Sequence, residues 1–522
     1  MVAAPAPFAR PSGRYNAAAD LLGRHGARRD AVAYLAGDAA LTFGELERRA
    51  KRFASALLAS GVVPEQRIAL VLDDDVAFPI AFLGAVLAGV VPVPLNTMLT
   101  TGDLAGLVGD MRAVAAVVDA TLMDKAGPAL ASAGVRRLVS HGGGSAGVAL
   151  EAFLEGGSER FETAPTHADE PCFWLYSSGS TGEPKGVIHS HGDLLPTAEL
   201  YAGPVLGLSA EDVGFSAAKL FFAYGLGNAL TFPLAVGATT VLLRGKPTPA
   251  KVAEVLTRHE VSVFYGVPTL YAQLLADPAL PTKDALRLRR CVSAGEALPP
   301  DLGRRWEAHT GCAVLDGLGS TELTHIFLSN RPGELRPGTT GRAVPGYELR
   351  IVDDHGRDVA EGELGELLVK GPTSALGYWN RRARSQATFD GEWVRTGDKY
   401  ARDDAGAYVF GGRADDMLKV GGIYVSPFEI ESCLMTHDAV LECAVIGRED
   451  AEGLTKPKAF VVCSGVPPED LESRLLAHAK RHLAAWKYPR WIEIVETLPK
   501  TATGKIRRFA LRAREDAPSQ GA

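Results

Sequence analysis

Eleven residues at 176–186, YSSGSTGEPKG, gather hydroxyls, glycines and one lysine at a density that suits an anion. Glycines let backbone N–H groups approach a polyphosphate closely, and the hydroxyls of Ser177, Ser178, Ser180 and Thr181 add donors around Gly179 and Gly182. Lys185 brings the charge. The preceding apolar run CFWLY reads as a strand, so this segment is expected as a loop at a strand end, where α/β sheets bind ligands. It departs from the P-loop pattern, in which lysine directly follows a glycine, because Glu183 and Pro184 intervene. By composition alone it also fits a plain flexible Ser/Gly loop.

Other stretches invite chemistry with less support. Gly143 to Gly147 matches the G-x-S-x-G pattern of a nucleophile elbow around Ser145, yet a GGGS run reads more readily as a surface loop. Loss of activity in Ser145→Ala would favour a hydrolase. The pairs His189/His191 and His478/His482 raise metal binding; with no acidic or cysteine partner evident, they read as polar surface positions.

The elements that must position these residues are legible in the apolar pattern. Thr42 and Glu45 form a capping box ahead of LERRAKRFASALLAS, with Gly61 closing the helix, and RIALVLDD follows as a strand. Phe78 to Leu95 is long enough to raise a membrane span, but its three prolines and small residues read as a buried helix ending near Gly89 and an extended VVPVPL segment. β-branched runs at 113–120, 238–243, 261–268 and 313–319 alternate with helical patterns such as PAKVAEVLTRHE, which predicts α/β architecture with buried sheets. From about residue 335, LRIVDD, GELLVKGP and AYVFGGR predict a β-rich subdomain, and GGRADDMLKVGG marks a boundary. Beyond it a capping box at Ser426 and Glu429 with Pro427 opens a helix, followed by strands near CAVIG and KAFVVC and a helix at 468–484. The expected organisation is a large N-terminal domain at 1–414, of two helix-flanked β-sheets plus a β-rich subdomain, and a small mobile α+β domain at 415–522.

Composition bounds the partners. The 522 residues are 46% hydrophobic, enough for large cores, and 55 Lys+Arg against 62 Asp+Glu give a net charge of −7, which argues against a nucleic-acid partner. Six scattered cysteines without a C-x-x-C pair fit a reducing cytoplasm, and the N-terminus lacks the layout of a signal peptide. No membrane partner is expected, and a homodimer is compatible with this reading.

The 176–186 segment resembles the signature of the adenylate-forming superfamily of acyl-CoA synthetases, adenylation domains and luciferases. Further matching motifs follow in order along nearly the whole chain: GSTE (319–322), GELLVKGP (365–372), WVRTGD (393–398), GRADDMLK (412–419) and PKTATGK (499–505). The resemblance implies ATP, Mg²⁺ and coenzyme A as reactants. It implies that the 177–186 segment grips pyrophosphate, Glu322 holds the metal, Thr321 contacts the α-phosphate, and Asp398 with Arg413 binds the ribose. Lys505 would bridge the substrate carboxylate and α-phosphate while charge builds. Asp415 matches the hinge about which the small domain turns, and Lys419, Gly421 and Gly422 would line the thiol tunnel.

KLFFAYGLGN (219–228) and HIFLSN (325–330) are similar to the benzoate-CoA ligase branch, which implies a ring slot of Phe222, Ala223, Tyr224, His325 and Ile326. Thr324 stands where that branch leads one to expect an apolar residue. Its buried hydroxyl would need a partner, such as a ring amino or hydroxyl group. The expected activity is an AMP-forming aryl-CoA ligase for benzoate first, then 2-aminobenzoate or hydroxybenzoates. A stand-alone aryl acid adenylation enzyme loading a carrier protein is the alternative, and a non-catalytic nucleotide-binding module is disfavoured by the presence of Glu322 and Lys505.

Overall fold

The computed structural model describes residues 9–143, 146–178, 184–420, 423–450, 452–500 and 506–516. Two buried sheets carry the first two thirds of the chain. One contains, among the described residues, nine strands in the spatial order Arg342–Ala343, Ile326–Ser329, Val314–Gly319, Arg290–Ala294, Val263–Gly266, Val213–Ser216, Thr239–Leu242, Val32–Ala36 and Ala39–Thr42. Its central strands run parallel, and the N-terminal hairpin closes one edge by pairing Tyr34 with Thr240. The other sheet is all parallel, ordered Val91–Pro94, Arg67–Val71, Ala115–Asp119, Arg137–His141 and Val148–Ala149.

Local chemistry accounts for the helices between them. Thr42 accepts from the Glu45 backbone N–H at 3.2 Å and starts the helix Phe43–Ala59, and Gly61 just beyond it takes φ +86°, a left-handed conformation that glycine adopts without a Cβ penalty. The run at 78–95 divides as its prolines dictate. It forms a helix Ala77–Leu87 buried on every side, turns at Gly89 and continues as the strand Val91–Pro94. No helix among the described residues is long and apolar enough to cross a membrane.

Residues 176–178 and 184–186 are strand rather than loop, and 179–183 lie outside the described residues. Pro171–Ser178 and Pro184–Ser190 form an antiparallel pair, with Ser177 opposite Lys185, and Gly377–Tyr378 pairs with the second strand. Lys185 and Gly186 are therefore strand residues, held by backbone hydrogen bonds that a free Ser/Gly loop would leave to water. Of the G-x-S-x-G stretch, Gly144 and Ser145 lie outside the described residues; the strand Arg137–His141 precedes it and the strand Val148–Ala149 follows it.

A five-stranded antiparallel sheet follows, built from Glu348–Val352, Gly365–Lys370, Trp393–Arg402, Phe389–Asp390 and Tyr408–Arg413. Past the turn Ala414–Asp416, the ladder Leu418–Val420/Ile423–Val425 precedes a three-stranded sheet of Val440–Glu449, Thr455–Cys463 and Trp491–Ile494. That sheet packs with the helices Pro427–Leu434, Leu471–His482 and Arg508–Asp516 around a core of its own. Ser426 caps the first of these helices through the Glu429 N–H, with Pro427 at its first position.

Candidate active site

Because the central strands of the large sheet are parallel, Ser216, Gly266, Ala294 and Gly319 all end at one edge, the place where an open parallel sheet forms its ligand crevice. The antiparallel strand Ile326–Ser329 starts at the same edge, since Gly319 pairs with Ile326, and so delivers His325 to it.

The turn Thr321–Leu323 is clamped from several sides. On the strand Pro184–Ser190, residues two apart share a face, so Lys185 and His189 both point toward this turn. His189 Nε2 bonds the Thr321 carbonyl at 2.8 Å and its Nδ1 lies 3.1 Å from the Thr324 hydroxyl, while its ring stacks on Phe173 at 4.9 Å. The Ala375 N–H donates to the Glu322 carbonyl and the Thr373 hydroxyl to that of Leu323, at 2.9 and 2.7 Å. The Glu322 carboxylate accepts from the Tyr378 hydroxyl at 2.8 Å through Oε1, and the Lys185 ammonium lies 3.8 Å from the same oxygen and 4.5 Å over the Tyr378 ring. Burial lowers the Lys185 pKa, Arg384 and Arg413 push the same way, and Glu322 opposes them. Burial, then the Glu322 charge, raises that of Tyr378.

Asp398 and Arg413 sit opposite each other across adjacent strands; Arg413 donates to Asp398 Oδ1 at 2.9 Å and to the Thr396 carbonyl at 3.1 Å. The carboxylate is mostly buried and the guanidinium half exposed. Lys185, Arg384 and Arg413 thus concentrate positive charge in a protein whose net charge is −7. The buried hydroxyls Ser177 Oγ and Ser320 Oγ have no hydrogen-bond partner among the described residues.

At the proposed ring slot, Phe222, Ala223 and Tyr224 are partly exposed at the start of a short helix, and the Tyr224 ring lies 5.5 Å from that of His325. His325 is fully buried; its Nε2 lies 3.1 Å from both the Tyr224 carbonyl and Asn228 Oδ1, and burial drives its pKa down to about 3. Gly227 makes room for it, because a Cβ there would lie 2.2 Å from His325 Cδ2. Ile326 packs in the core with its Cδ1 against the place a Gly317 Cβ would take.

Two expectations are corrected by these contacts. The Thr324 hydroxyl needs no ring substituent: it is buried between His189 Nδ1 and the Thr373 carbonyl, 3.3 Å away. His189 and His191 are core residues, not surface ones, and the Ala17 N–H donates to His191 Nδ1 at 3.2 Å. Tyr378 and Glu296 escaped the sequence reading altogether. Tyr378 reaches Glu322 only through strand pairing with Val187, which nothing local encodes, whereas the Lys185/His189 alternation was available as a signal.

Among the other expected site residues, Asp415 lies exposed in the turn Ala414–Asp416 and Lys419 exposed on the following strand. The side chain of Ser178, and all of Gly179, Ser180, Thr181, Gly182, Gly421, Gly422 and Lys505, lie outside the described residues. The chain neighbour of Lys505 is fixed: the Ile506 N–H donates to Glu296 Oε1 at 3.0 Å, at the crevice edge just past the strand Arg290–Ala294.

A parallel-sheet crevice with a clamped Thr-Glu turn and a strand-paired Asp–Arg couple defines an enzyme of the adenylate-forming superfamily. The AMP-binding enzyme family model matches residues 23–379, and the model for the AMP-binding enzyme C-terminal domain matches 429–505. The chain belongs to this family, in its benzoate-CoA ligase branch. It is 54% identical over 506 residues to the benzoate–CoA ligase of Thauera aromatica, covering 96% of each chain. A solved benzoate CoA ligase from Burkholderia xenovorans LB400 superposes with a TM-score of 0.90 at 51% identity, over 95% of this chain and 100% of that one. A solved anthranilate CoA ligase in complex with anthranoyl-AMP gives 0.93 at 41%, over 96% and 97%.

Proposed function

We propose that this chain is an AMP-forming aryl-CoA ligase whose first substrate is benzoate, with 2-aminobenzoate and hydroxybenzoates as further acids. The observation that carries the reading is the Tyr224–His325 pair, an aromatic site in which a short helix supplies Tyr224 and the segment joining the Thr321–Leu323 turn to the strand Ile326–Ser329 supplies His325. Similarity to benzoate and anthranilate ligases over nearly the whole chain supports the choice of acid.

In the first step a carboxylate oxygen attacks the α-phosphorus of ATP, forming the aroyl-adenylate and releasing pyrophosphate. In the second, the CoA sulfur attacks the acyl carbon, the thioester forms and AMP leaves. Asp398 and Arg413 take the ribose hydroxyls as acceptor and donor, and Thr321 faces the α-phosphate. The cationic cluster around Lys185, with the partnerless Ser177 hydroxyl, receives the polyphosphate. Glu322 fits Mg²⁺: Tyr378 and Lys185 address its Oε1, and one carboxylate completed by phosphate oxygens and water is an ordinary magnesium environment. The metal would neutralise charge on the departing pyrophosphate. Lys505 follows from the anchored Ile506 as the group that stabilises the adenylation transition state. We place the domain boundary at Asp415, with Lys419, Gly421 and Gly422 serving the thiol step after rotation, and the reaction in the cytoplasm.

The test is pyrophosphate release across a panel of benzoates, with acetate and a long-chain fatty acid as controls, coupled to chromatographic detection of the CoA thioester without any carrier protein. Aryl acids are expected to exceed fatty acids greatly in kcat/KM. Equal turnover of a fatty acid overturns the aryl assignment. Adenylate that accumulates without thioester would move the enzyme to the carrier-loading class.

A further inference from the structure

The small C-terminal unit brings together three soft donors that the sequence reading left apart. Cys433 lies near the end of the helix Pro427–Leu434, while His478 and His482 lie one turn apart on the helix Leu471–His482 that packs beside it. One ligand atom from each of the three falls within 4.8 Å of the others. A tetrahedral zinc with bonds of 2.0–2.3 Å would hold such atoms roughly 3.4–3.6 Å apart, so rotamer adjustments suffice to close the site.

The hydrogen bonds around the imidazoles point the same way. His478 Nε2 lies 3.2 Å from the Cys433 carbonyl and 2.8 Å from the Thr436 hydroxyl, and His482 Nδ1 lies 2.9 Å from the His478 carbonyl. A neutral ring that donates from one nitrogen keeps its lone pair on the other, leaving Nδ1 of His478 and Nε2 of His482 as bare donors. Backbone-carbonyl bonding of the non-ligating nitrogen is the usual way a metal-binding histidine is oriented. Cys433 and His478 are half-buried and His482 is exposed, which provides an entry path. His478 and His437 also line a cavity of about 500 Å³ beside the cluster.

We propose that Cys433, His478 and His482 form a binding site for a zinc-type divalent transition metal that ties the two helices of the small unit together. A thiolate with two imidazoles selects Zn²⁺, Co²⁺, Ni²⁺ or Cu²⁺ over Mg²⁺ and Ca²⁺, which take oxygen ligands. Binding forms one metal–sulfur and two metal–nitrogen bonds, and the Cys433 thiol proton passes to solvent. The site is separate from Glu322, whose expected metal is hard.

The experiment uses the full chain without an affinity tag, stripped with a chelator and titrated with Co²⁺ followed by optical absorption, and with Zn²⁺ followed by calorimetry. One equivalent should bind, with a thiolate-to-cobalt charge-transfer band in the near ultraviolet and the visible bands of tetrahedral cobalt. Cys433→Ser should abolish the charge-transfer band, whereas Cys463→Ser, which alters the cysteine lining the neighbouring cavity, should leave it. His482→Gln, at an exposed helix end, should weaken Zn²⁺ binding at least about 10-fold, the lower range for loss of even an outer-shell partner. Saturating Zn²⁺ should raise the Tm of the parent and not of Cys433→Ser. Cobalt binding without a thiolate band, affinity unchanged in both ligand variants, or no saturable binding would each overturn the site.

Discussion

His189 offers the sharpest test of how the Thr321–Glu322 turn is held. The Thr321 carbonyl 2.8 Å from Nε2 requires a donor there, so Nε2 carries a proton, while Nδ1 faces the Thr324 hydroxyl at 3.1 Å and Asp193 Oδ2 at 3.6 Å. His189→Phe keeps an aromatic ring to stack on Phe173 and removes these polar contacts, with Asp193 still held by Arg10 and the Ser190 N–H. The Thr324 hydroxyl can fall back on the Thr373 carbonyl at 3.3 Å, but the Thr321 carbonyl loses its partner. One stranded buried acceptor costs about 1–3 kcal/mol. Expressed at the turn, that displaces Thr321 and Glu322 and slows adenylation by about 5- to 150-fold. The assay is ATP–pyrophosphate exchange, set against thioester formation from presynthesised benzoyl-AMP and CoA, which should fall much less. A folded His189→Phe protein that exchanges pyrophosphate at the parental rate would refute the reasoning, and equal loss in both assays would place the damage outside the turn.

Three further outcomes are expected. Asp398→Asn leaves Arg413 without its carboxylate and should raise KM for ATP by about 10- to 100-fold, the scale of a charged hydrogen bond, with little change in KM for benzoate; initial-rate kinetics in each substrate will tell. Gly227→Ala drives a methyl into His325 and should cut kcat/KM for benzoate by about 10-fold or more through overpacking, and full activity would mean the ring contributes nothing to the slot. Burial lowers the pKa of His325 to about 3 and of His191 to about 4, so below the ordinary imidazole value near 6.5 the unfolded chain binds protons that the folded one refuses. Stability should therefore fall as pH drops from about 6.5 toward 4, and His191→Asn should flatten the dependence of Tm on pH; an unchanged slope would count against a neutral buried ring.

Sequence patterns gave the helices and buried strands well where one signal dominated. Thr42 and Ser426 cap helices as expected, though without the reciprocal bond of a capping box, and the prolines after Gly89 divide the apolar run into helix and strand. The pairing of 171–178 with 184–190 was obscured because the composition of the segment between them resembles a free loop, although Lys185 already belongs to a ladder. Long-range satisfaction was illegible in the same way. Thr324 looks like an unpaired hydroxyl until His189, 135 residues earlier, and the Thr373 carbonyl arrive beside it. Paired histidines resemble surface positions until tertiary packing buries one pair and brings Cys433 beside the other.

The closure of the large sheet by its N-terminal hairpin has a consequence for biosynthesis. Val32–Ala36 must wait for Thr239–Leu242, which is translated roughly 200 residues later, or about 10–40 s at ordinary elongation rates. During that interval a β-edge stands open on the nascent chain, and the apolar helix Ala77–Leu87 has only part of the surroundings that finally enclose it. Holdase chaperones should therefore engage this chain before its midpoint emerges from the ribosome, and slowing translation between residues 43 and 239 should lower soluble yield more than slowing it afterwards.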